Sequence, residues 1–75
     1  RDRFIRNVLI AAGNSGREDL IADVAPLLSD AAPVVRAMAV WAVSQLASPD
    51  AFARLRAQHR GIESDPDVLL EWDAT

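Results

Sequence analysis

An internal repeat governs the fold of this 75-residue chain. Overlaid on itself at an offset of 30 residues, the sequence places Phe4-Ile5-Arg6 on Val34-Val35-Arg36 and Val8 on Met38. In both copies the apolar residues recur at the spacing of an amphipathic helix. Two helices per unit, with a period of roughly 30 to 35 residues, are typical of an α-solenoid, in which each repeat buries its apolar face against its neighbours. We therefore predict an all-α fold, an α-α superhelix of about two and a half helical hairpins.

The repeat divides the chain without breaking it into separate domains. We predict one module over residues 1–75 and expect it to be a fragment of a longer chain, because the sequence opens on Arg1 and not on Met. Within it we predict repeat one over about residues 2–28, repeat two over about 30–60, and a half repeat over 65–75. Between Val34 and Val43 only Arg36 is polar. A helix that is apolar on nearly every side must be covered on nearly every side, so we expect this helix in the middle of the stack.

Capping residues and prolines predict where the first helices begin and end. Ser15 opens a Ser-x-x-Glu motif that ends at Glu18, and this pair of side chains can satisfy free amides at a helix start. Pro26 lies inside the second helix and predicts a kink or an early end there, because proline has no amide to donate. Asp30 is expected to cap the third helix, with Pro33 in its first turn.

The same signals recur in the second half of the chain. Ser48-Pro49 and Asp65-Pro66 each place a capping side chain before a proline, which predicts the starts of the fourth and fifth helices. Gly61 is the natural end of the fourth helix. Arg56 and Arg60 then lie near the negative pole of that helix.

Side chains for catalysis or metal binding are scarce. The chain has no cysteine, which excludes disulfides, thiolate metal sites and a cysteine nucleophile within it. His59 is the only histidine, and near a helix end it is more simply a dipole-stabilised surface or half-core residue. The carboxylates of Asp65, Asp67, Glu71 and Asp73 lack the spacing of a calcium loop. We therefore assign no catalytic, cofactor-binding or metal-binding residue and expect no cofactor in this segment.

The formal net charge of -3 combines two unlike segments. Residues 1–60 carry eight arginines against six acids, whereas residues 61–75 carry five acids and no base. Nucleic-acid-binding domains are usually basic as a whole, so the total argues against RNA contact. The repeat body taken alone is positive, however. We expect any RNA contact to involve that body, with the acidic tail pointing away from the phosphates.

All eight basic residues are arginines, and seven of them form two groups. Arg6 and Arg36 are equivalent in the repeat, which favours a structural role for both, with Arg36 folding back toward Asp30 and Arg6 toward an acid outside this segment. The other group is less constrained, and arginine forks suit phosphate oxygens. For this second group, phosphate contact and a merely solvated face are equally good interpretations. The candidate RNA contacts are Arg1, Arg3, Arg54, Arg56 and Arg60.

The two tryptophans are the aromatic side chains with the chemistry to stack on RNA bases. Trp41 lies inside the most apolar helix, so we predict that it is a core residue. Trp72 follows Val68 and Leu69 in the last predicted helix.

Residues 33–43 and 6–10 resemble HEAT-like repeats. A more specific pattern is the run from Arg6 to Gly16, RNVLIAAGNSG, followed about 20 residues later by Val34-Val35-Arg36 and Trp41-Ala42. This pattern is similar to the C-terminal HEAT-like segment of bacterial epoxyqueuosine reductases. Glu71-Trp72 fits the end of such a chain.

The resemblance implies a cytoplasmic parent enzyme that reduces epoxyqueuosine to queuosine at the wobble position of tRNA, using a cobalamin and two 4Fe-4S clusters. The cluster ligands would be cysteines, so that chemistry lies outside this segment. For the segment itself the resemblance implies a non-catalytic appendage that packs on the catalytic domain of the same chain and helps to hold tRNA.

Other functions remain open on the sequence alone. A HEAT-like scaffold that binds another protein suits the acidic tail and the net charge, and a lid that closes a catalytic core is a third interpretation. No stretch reaches the roughly 18 apolar residues of a membrane span, so we expect no membrane partner. We also expect self-association through the repeat ends, where Phe4, Ile5 or Leu69 would lack a covering neighbour.

Overall fold

The computed structural model describes residues 1–74, and within them it contains helices and no strand. The α-helices are α1 (Asp2–Asn14), α2 (Ile21–Val24), α3 (Pro33–Leu46), α4 (Pro49–His59) and α5 (Pro66–Ala74). Three 3₁₀ turns extend this framework, at Glu18–Leu20, Ala25–Ser29 and Arg60–Ile62. The architecture is an all-α repeat superhelix, so the fold prediction is confirmed.

Helix α3 forms the centre of the module. It packs against α1 on one side and α5 on the other, and it also contacts the segment formed by α2 and the 3₁₀ turn after it. Its apolar residues Val35, Ala39, Val40, Ala42 and Val43 are fully buried. The prediction that the most apolar helix lies in the middle of the stack is therefore confirmed, because a helix with neighbours on several sides needs apolar residues on each of them.

Helices α1 and α3 approach closely at one glycine. Gly13 is buried, and the six-membered ring of Trp41 lies directly over it. A Cβ atom added at Gly13 would lie only 2.4 Å from Cζ3 of Trp41. The absence of a side chain at Gly13 is therefore what allows the indole of α3 to lie on α1.

We expect Gly13→Ala to destabilise the chain, although alanine in a helix interior is normally about 0.5–1 kcal/mol more favourable than glycine. Overpacking against the Trp41 ring costs about 1–3 kcal/mol, so the net loss in the free energy of unfolding should reach about 2 kcal/mol. Urea denaturation measures it. In a Trp41→Leu background, which removes the ring, the same Gly13→Ala change should be neutral or stabilising. Greater stability of Gly13→Ala in the natural background would contradict this packing.

Several of the predicted helix boundaries are confirmed. Ser48 caps α4, because its Oγ accepts a hydrogen bond from the amide of Ala51 at 3.2 Å. Asp65 does the same for α5, accepting from the amides of Asp67 at 2.9 Å and Val68 at 3.2 Å. The second helix breaks early, as Pro26 predicts: α2 ends at Val24 and continues only as a 3₁₀ turn.

Three boundary predictions are wrong. Ser15 does not open a helix; it ends α1, donating from its hydroxyl to the carbonyl of Ala12, and the turn after it requires Gly16 in the left-handed region at φ 71°. Asp30 is not the cap of α3, which begins after Ala32 in extended conformation, with the amide of Ala32 bonded to Asp30 Oδ2. Gly61 lies within a 3₁₀ turn rather than at the helix end, because the backbone tightens at Arg60.

Candidate functional site

The best-buried ion pair of the described residues joins Arg36 of α3 to Glu63, which lies between the 3₁₀ turn Arg60–Ile62 and α5. The Nε and Nη2 atoms of Arg36 donate to the two carboxylate oxygens of Glu63 at 2.8 and 2.9 Å. Nη1 of Arg36 donates to the backbone carbonyls of Asp30 at 2.9 Å and Ala31 at 3.2 Å. The Glu63 side chain is only 7% exposed. We call this arrangement the Arg36–Glu63 clasp.

Arg36 folds back toward Asp30, as predicted, but the clasp gives it a different acidic partner, Glu63. The guanidinium reaches the backbone of Asp30 but not its carboxylate, and its acidic partner is 27 positions away in sequence. Glu63 also accepts from the amides of Ser64 and Asp65 at 3.1 and 3.0 Å, so it orders the turn that leads into α5. The hydrogen bonds from Arg36, and secondarily those amides, hold the pKa of Glu63 below its ordinary value.

The carboxylate of Asp30 is engaged by Arg1, at the other side of the same loop. Nη2 of Arg1 bonds Oδ1 of Asp30, and Nη1 lies 3.3 Å from Oδ2. Arg1 also contacts Asp2 at 2.8 Å. The bond from Arg1, followed by the amide of Ala32, lowers the pKa of Asp30. Arg1, one of the candidate RNA contacts, therefore faces two carboxylates.

A second pair of candidate RNA contacts is also engaged by an acid. Arg56 near the end of α4 and Arg60 in the 3₁₀ turn that follows it both bond Asp73 of α5. Nη2 of Arg56 lies 2.8 Å from Oδ1 of Asp73, and Nε and Nη2 of Arg60 lie 2.8 and 2.9 Å from its two carboxylate oxygens. The two guanidinium groups hold the pKa of Asp73 well below its usual range. One acid of the tail, Asp73, therefore lies against two of the candidate RNA contacts.

The remaining candidate arginines are Arg3 on α1 and Arg54 on α4. Both are exposed, and neither has a hydrogen bond or ion pair within residues 1–74. The same is true of Arg6, so its predicted acidic partner is not found in the described part of the chain. The structure thus brings Arg56 and Arg60 together around one carboxylate and leaves Arg3 and Arg54 available on two different helices.

The tryptophans differ from the sequence interpretation. Trp72 is 1% exposed and lies between Phe52, at 5.4 Å between ring centroids, and His59, which stacks on it at 6.2 Å. It is therefore a core side chain that is inaccessible to bases. Trp41 is half-buried: it packs against the core and over Gly13, but part of it lines a surface groove with Ile10 and Met38.

Apolar side chains are exposed at both ends of the module. On α1, Phe4 is 72% and Val8 is 48% exposed; near the other end, Ile62 and Leu70 are exposed. Of the three residues expected to drive self-association, Phe4 is exposed, whereas Ile5 and Leu69 are half-buried. Sequence periodicity could have found Val8, since it lies four positions after Phe4 on the same helix.

Residues 1–74 contain no group of three or more metal-ligating side chains, and none of their helices is long and apolar enough to cross a membrane. Sequence reasoning missed Glu63 and Asp73 as the partners of Arg36, Arg56 and Arg60. The spacing of Arg56 and Arg60, one helical turn apart, was the only local signal that one acid could bridge them.

Comparison with known proteins agrees with this architecture. A family model described as HEAT repeats matches residues 2–71. Comparison with curated proteins gave no match, and neither did comparison with solved structures. The family match covers nearly the whole chain, from the start of α1 into α5, so this chain belongs to the HEAT-repeat family.

Proposed function

We propose that this chain is the non-catalytic C-terminal HEAT-repeat part of an epoxyqueuosine reductase, where it packs on the catalytic domain. The motif run that carries the resemblance supports this, because its residues are ones on which the packing depends: Gly13 receives Trp41, and Arg36 forms the clasp with Glu63. A motif of this kind marks a particular HEAT-repeat structure rather than a reaction. With no cysteine, the residues of this chain do not fit either iron-sulfur cluster of the parent enzyme.

A role in holding tRNA is the finer part of the proposal. Arg3 and Arg54 support it, because both are exposed and have no carboxylate partner within residues 1–74. Arg1, Arg56 and Arg60 support it less, because neighbouring carboxylates compete with phosphate for their guanidinium groups. The proposed RNA contact therefore involves Arg3 and Arg54 first.

Salt titration of tRNA binding to the full reductase tests this role. Removing one phosphate contact should reduce the slope of log affinity against log salt by about 0.7–0.9, so Arg3→Ala with Arg54→Ala should reduce it by about 1.5. Arg17→Ala is the matched control, because Arg17 already bonds Asp19 at 2.7 Å. An unchanged slope in the double variant would exclude tRNA contact by these two side chains.

Asp73→Asn is expected to act in the opposite direction in the same assay. Removing the charge of Asp73 frees the guanidinium groups of Arg56 and Arg60 to bind phosphate. If α4 lies near the tRNA, the slope of log affinity against log salt should then become steeper by up to about 1 or 2. Asp67→Asn is the control, because it removes an equal charge from α5 without touching either arginine. Equal effects of the two variants would indicate a general change in charge rather than release of Arg56 and Arg60.

A protein-interaction scaffold is the second candidate function, and one observation favours it. Phe4 and Val8 form an exposed apolar row on α1, and such surfaces are typical of interfaces. The sequence of the longer parent chain separates the two proposals. Cysteine clusters with ferredoxin-like spacing upstream would support the reductase, whereas further helical repeats there would support the scaffold.

A further inference from the structure

The exposed row on α1 borders a surface groove. The groove has a volume of about 390 Å³ and runs between α1 and the segment that contains α2. Its apolar lining includes Val8, Ala11 and Ala12 of α1 with Leu20, Val24 and Leu27. Val8 of this lining is 48% exposed, and Phe4, four positions before it on α1, is 72% exposed. This surface has the composition of a helix-packing face rather than of a solvated one.

The repeat itself indicates that a helix fits this groove. Val8 and Ala11 are the equivalents of Met38 and Trp41 at an offset of 30 residues. In α3, Trp41 lies over Gly13 of α1. Met38 and Trp41 also line, together with Ile10 of α1, the other surface groove described above. These two positions of α3 therefore face the preceding helix of the stack. The equivalent positions in α1 face no helix within residues 1–74. The groove is thus the same kind of surface as the α1–α3 contact, without its partner.

Charge indicates which helix fits. Asp23 lines the groove, and within residues 1–74 it has no hydrogen bond or ion pair. Arg3 directly precedes Phe4 on α1 and is exposed, and it is also unpaired within those residues. A helix that carries an exposed apolar row with an arginine on its flank complements the groove, and α1 is itself such a helix.

We infer that the groove binds α1 of a second copy, in a two-fold arrangement that places Phe4 of each copy in the groove of the other and pairs Arg3 of each with Asp23 of the other. A two-fold interface uses the same patch on both copies. Because this patch carries both an arginine and an aspartate, the two-fold operation forms the same ion pair twice. The head-to-tail alternative presents α5 to the groove. There the exposed Leu70 lies one turn from Asp67, which would set acid against Asp23.

Sedimentation equilibrium of the 75-residue chain over a wide concentration range tests this inference. A concentration-dependent monomer–dimer equilibrium is expected. Val8→Glu should raise the dimer dissociation constant by about 100-fold or more, because it buries an uncompensated charge. The matched control is Leu70→Glu, the same kind of change at a side chain that is 65% exposed, and it should alter the constant by no more than about twofold.

Reversing the charges of Asp23 and Arg3 tests the dimer separately from any folding defect that Val8→Glu causes. Asp23→Arg and Arg3→Asp should each weaken the dimer by about tenfold, and the two changes combined should restore it to within about threefold. Circular dichroism confirms that each variant is helical. A monomer at every concentration, equal losses for Val8→Glu and Leu70→Glu, or no recovery in the double reversal would each overturn the inference.

Discussion

We expect Trp72→Ala to lower the free energy of unfolding by about 3–5 kcal/mol, the range for removing a large aromatic side chain from a core. Trp72 is the largest fully buried side chain, and it joins α5 to α4 through Phe52 and His59. The total stability of a 75-residue domain is roughly 4–11 kcal/mol. The substitution should therefore leave the chain marginally folded at room temperature.

Urea denaturation and a thermal melt measure this effect. Leu70→Ala is the matched control: it truncates an exposed apolar side chain on the same helix and should change stability by less than about 0.5 kcal/mol. The loss in unfolding free energy for Trp72→Phe should lie between those of Trp72→Ala and Leu70→Ala, because phenylalanine retains an aromatic ring against Phe52. A Trp72→Ala variant as stable as Leu70→Ala would show that α5 contributes little to the fold.

The second large effect is expected from opening the Arg36–Glu63 clasp. Arg36→Met leaves Glu63 nearly buried with only its two amide partners, and should destabilise the chain by about 2–4 kcal/mol, toward the lower part of the range for breaking a buried pair. Arg17→Met, which breaks an exposed pair with Asp19, should change the stability far less, because solvent screens that pair. Equal losses in the two variants would contradict the clasp.

The clasp also predicts how stability depends on pH. Because Arg36 lowers the pKa of Glu63 in the folded chain, the pair stabilises the fold above the ordinary glutamate pKa of about 4.3 and loses that contribution as the pH falls through the lowered value. The difference in unfolding free energy between the natural chain and Glu63→Gln should therefore be largest near neutral pH and shrink in acid. Urea titrations at several pH values measure it, and a difference independent of pH would rule out this linkage.

These contacts change which arginines are candidates for RNA. The sequence offered Arg1, Arg3, Arg54, Arg56 and Arg60 as a single set. In the fold, carboxylates bind Arg1, Arg56 and Arg60. Arg3 and Arg54 remain unpaired within residues 1–74. The positive charge of residues 1–60 is therefore partly neutralised by acids of residues 61–75 within the molecule. A count of arginines along the chain overstates the number of guanidinium groups that are free to bind phosphate.

Local signals predicted the starts of α4 and α5 correctly because Ser48 and Asp65 act on amides two or three residues away. They failed at Ser15 and Asp30, where each side chain also bonds a group other than the amides at the predicted helix start. Ser15 binds the carbonyl of Ala12 behind it, and Asp30 binds the amide of Ala32 and the distant Arg1. A capping motif states which bonds are available, but neighbouring elements decide which of them forms.

The sequence by itself determined the helices, their repeat and the central place of α3, because apolar periodicity and proline act over a few residues and α3 had too few polar positions for any exposed role. Only the tertiary structure decided that Glu63 would meet Arg36, that Asp73 would bridge Arg56 and Arg60, and that Trp72 rather than Trp41 would be fully buried. The ion pairs join residues that are 13 to 27 positions apart in sequence. Both these pairs and the burial of Trp72 depend on how the helices stack. Several acids could pair with Arg36, Arg56 or Arg60 in the unfolded chain, and in the superhelix each of these three arginines bonds one carboxylate.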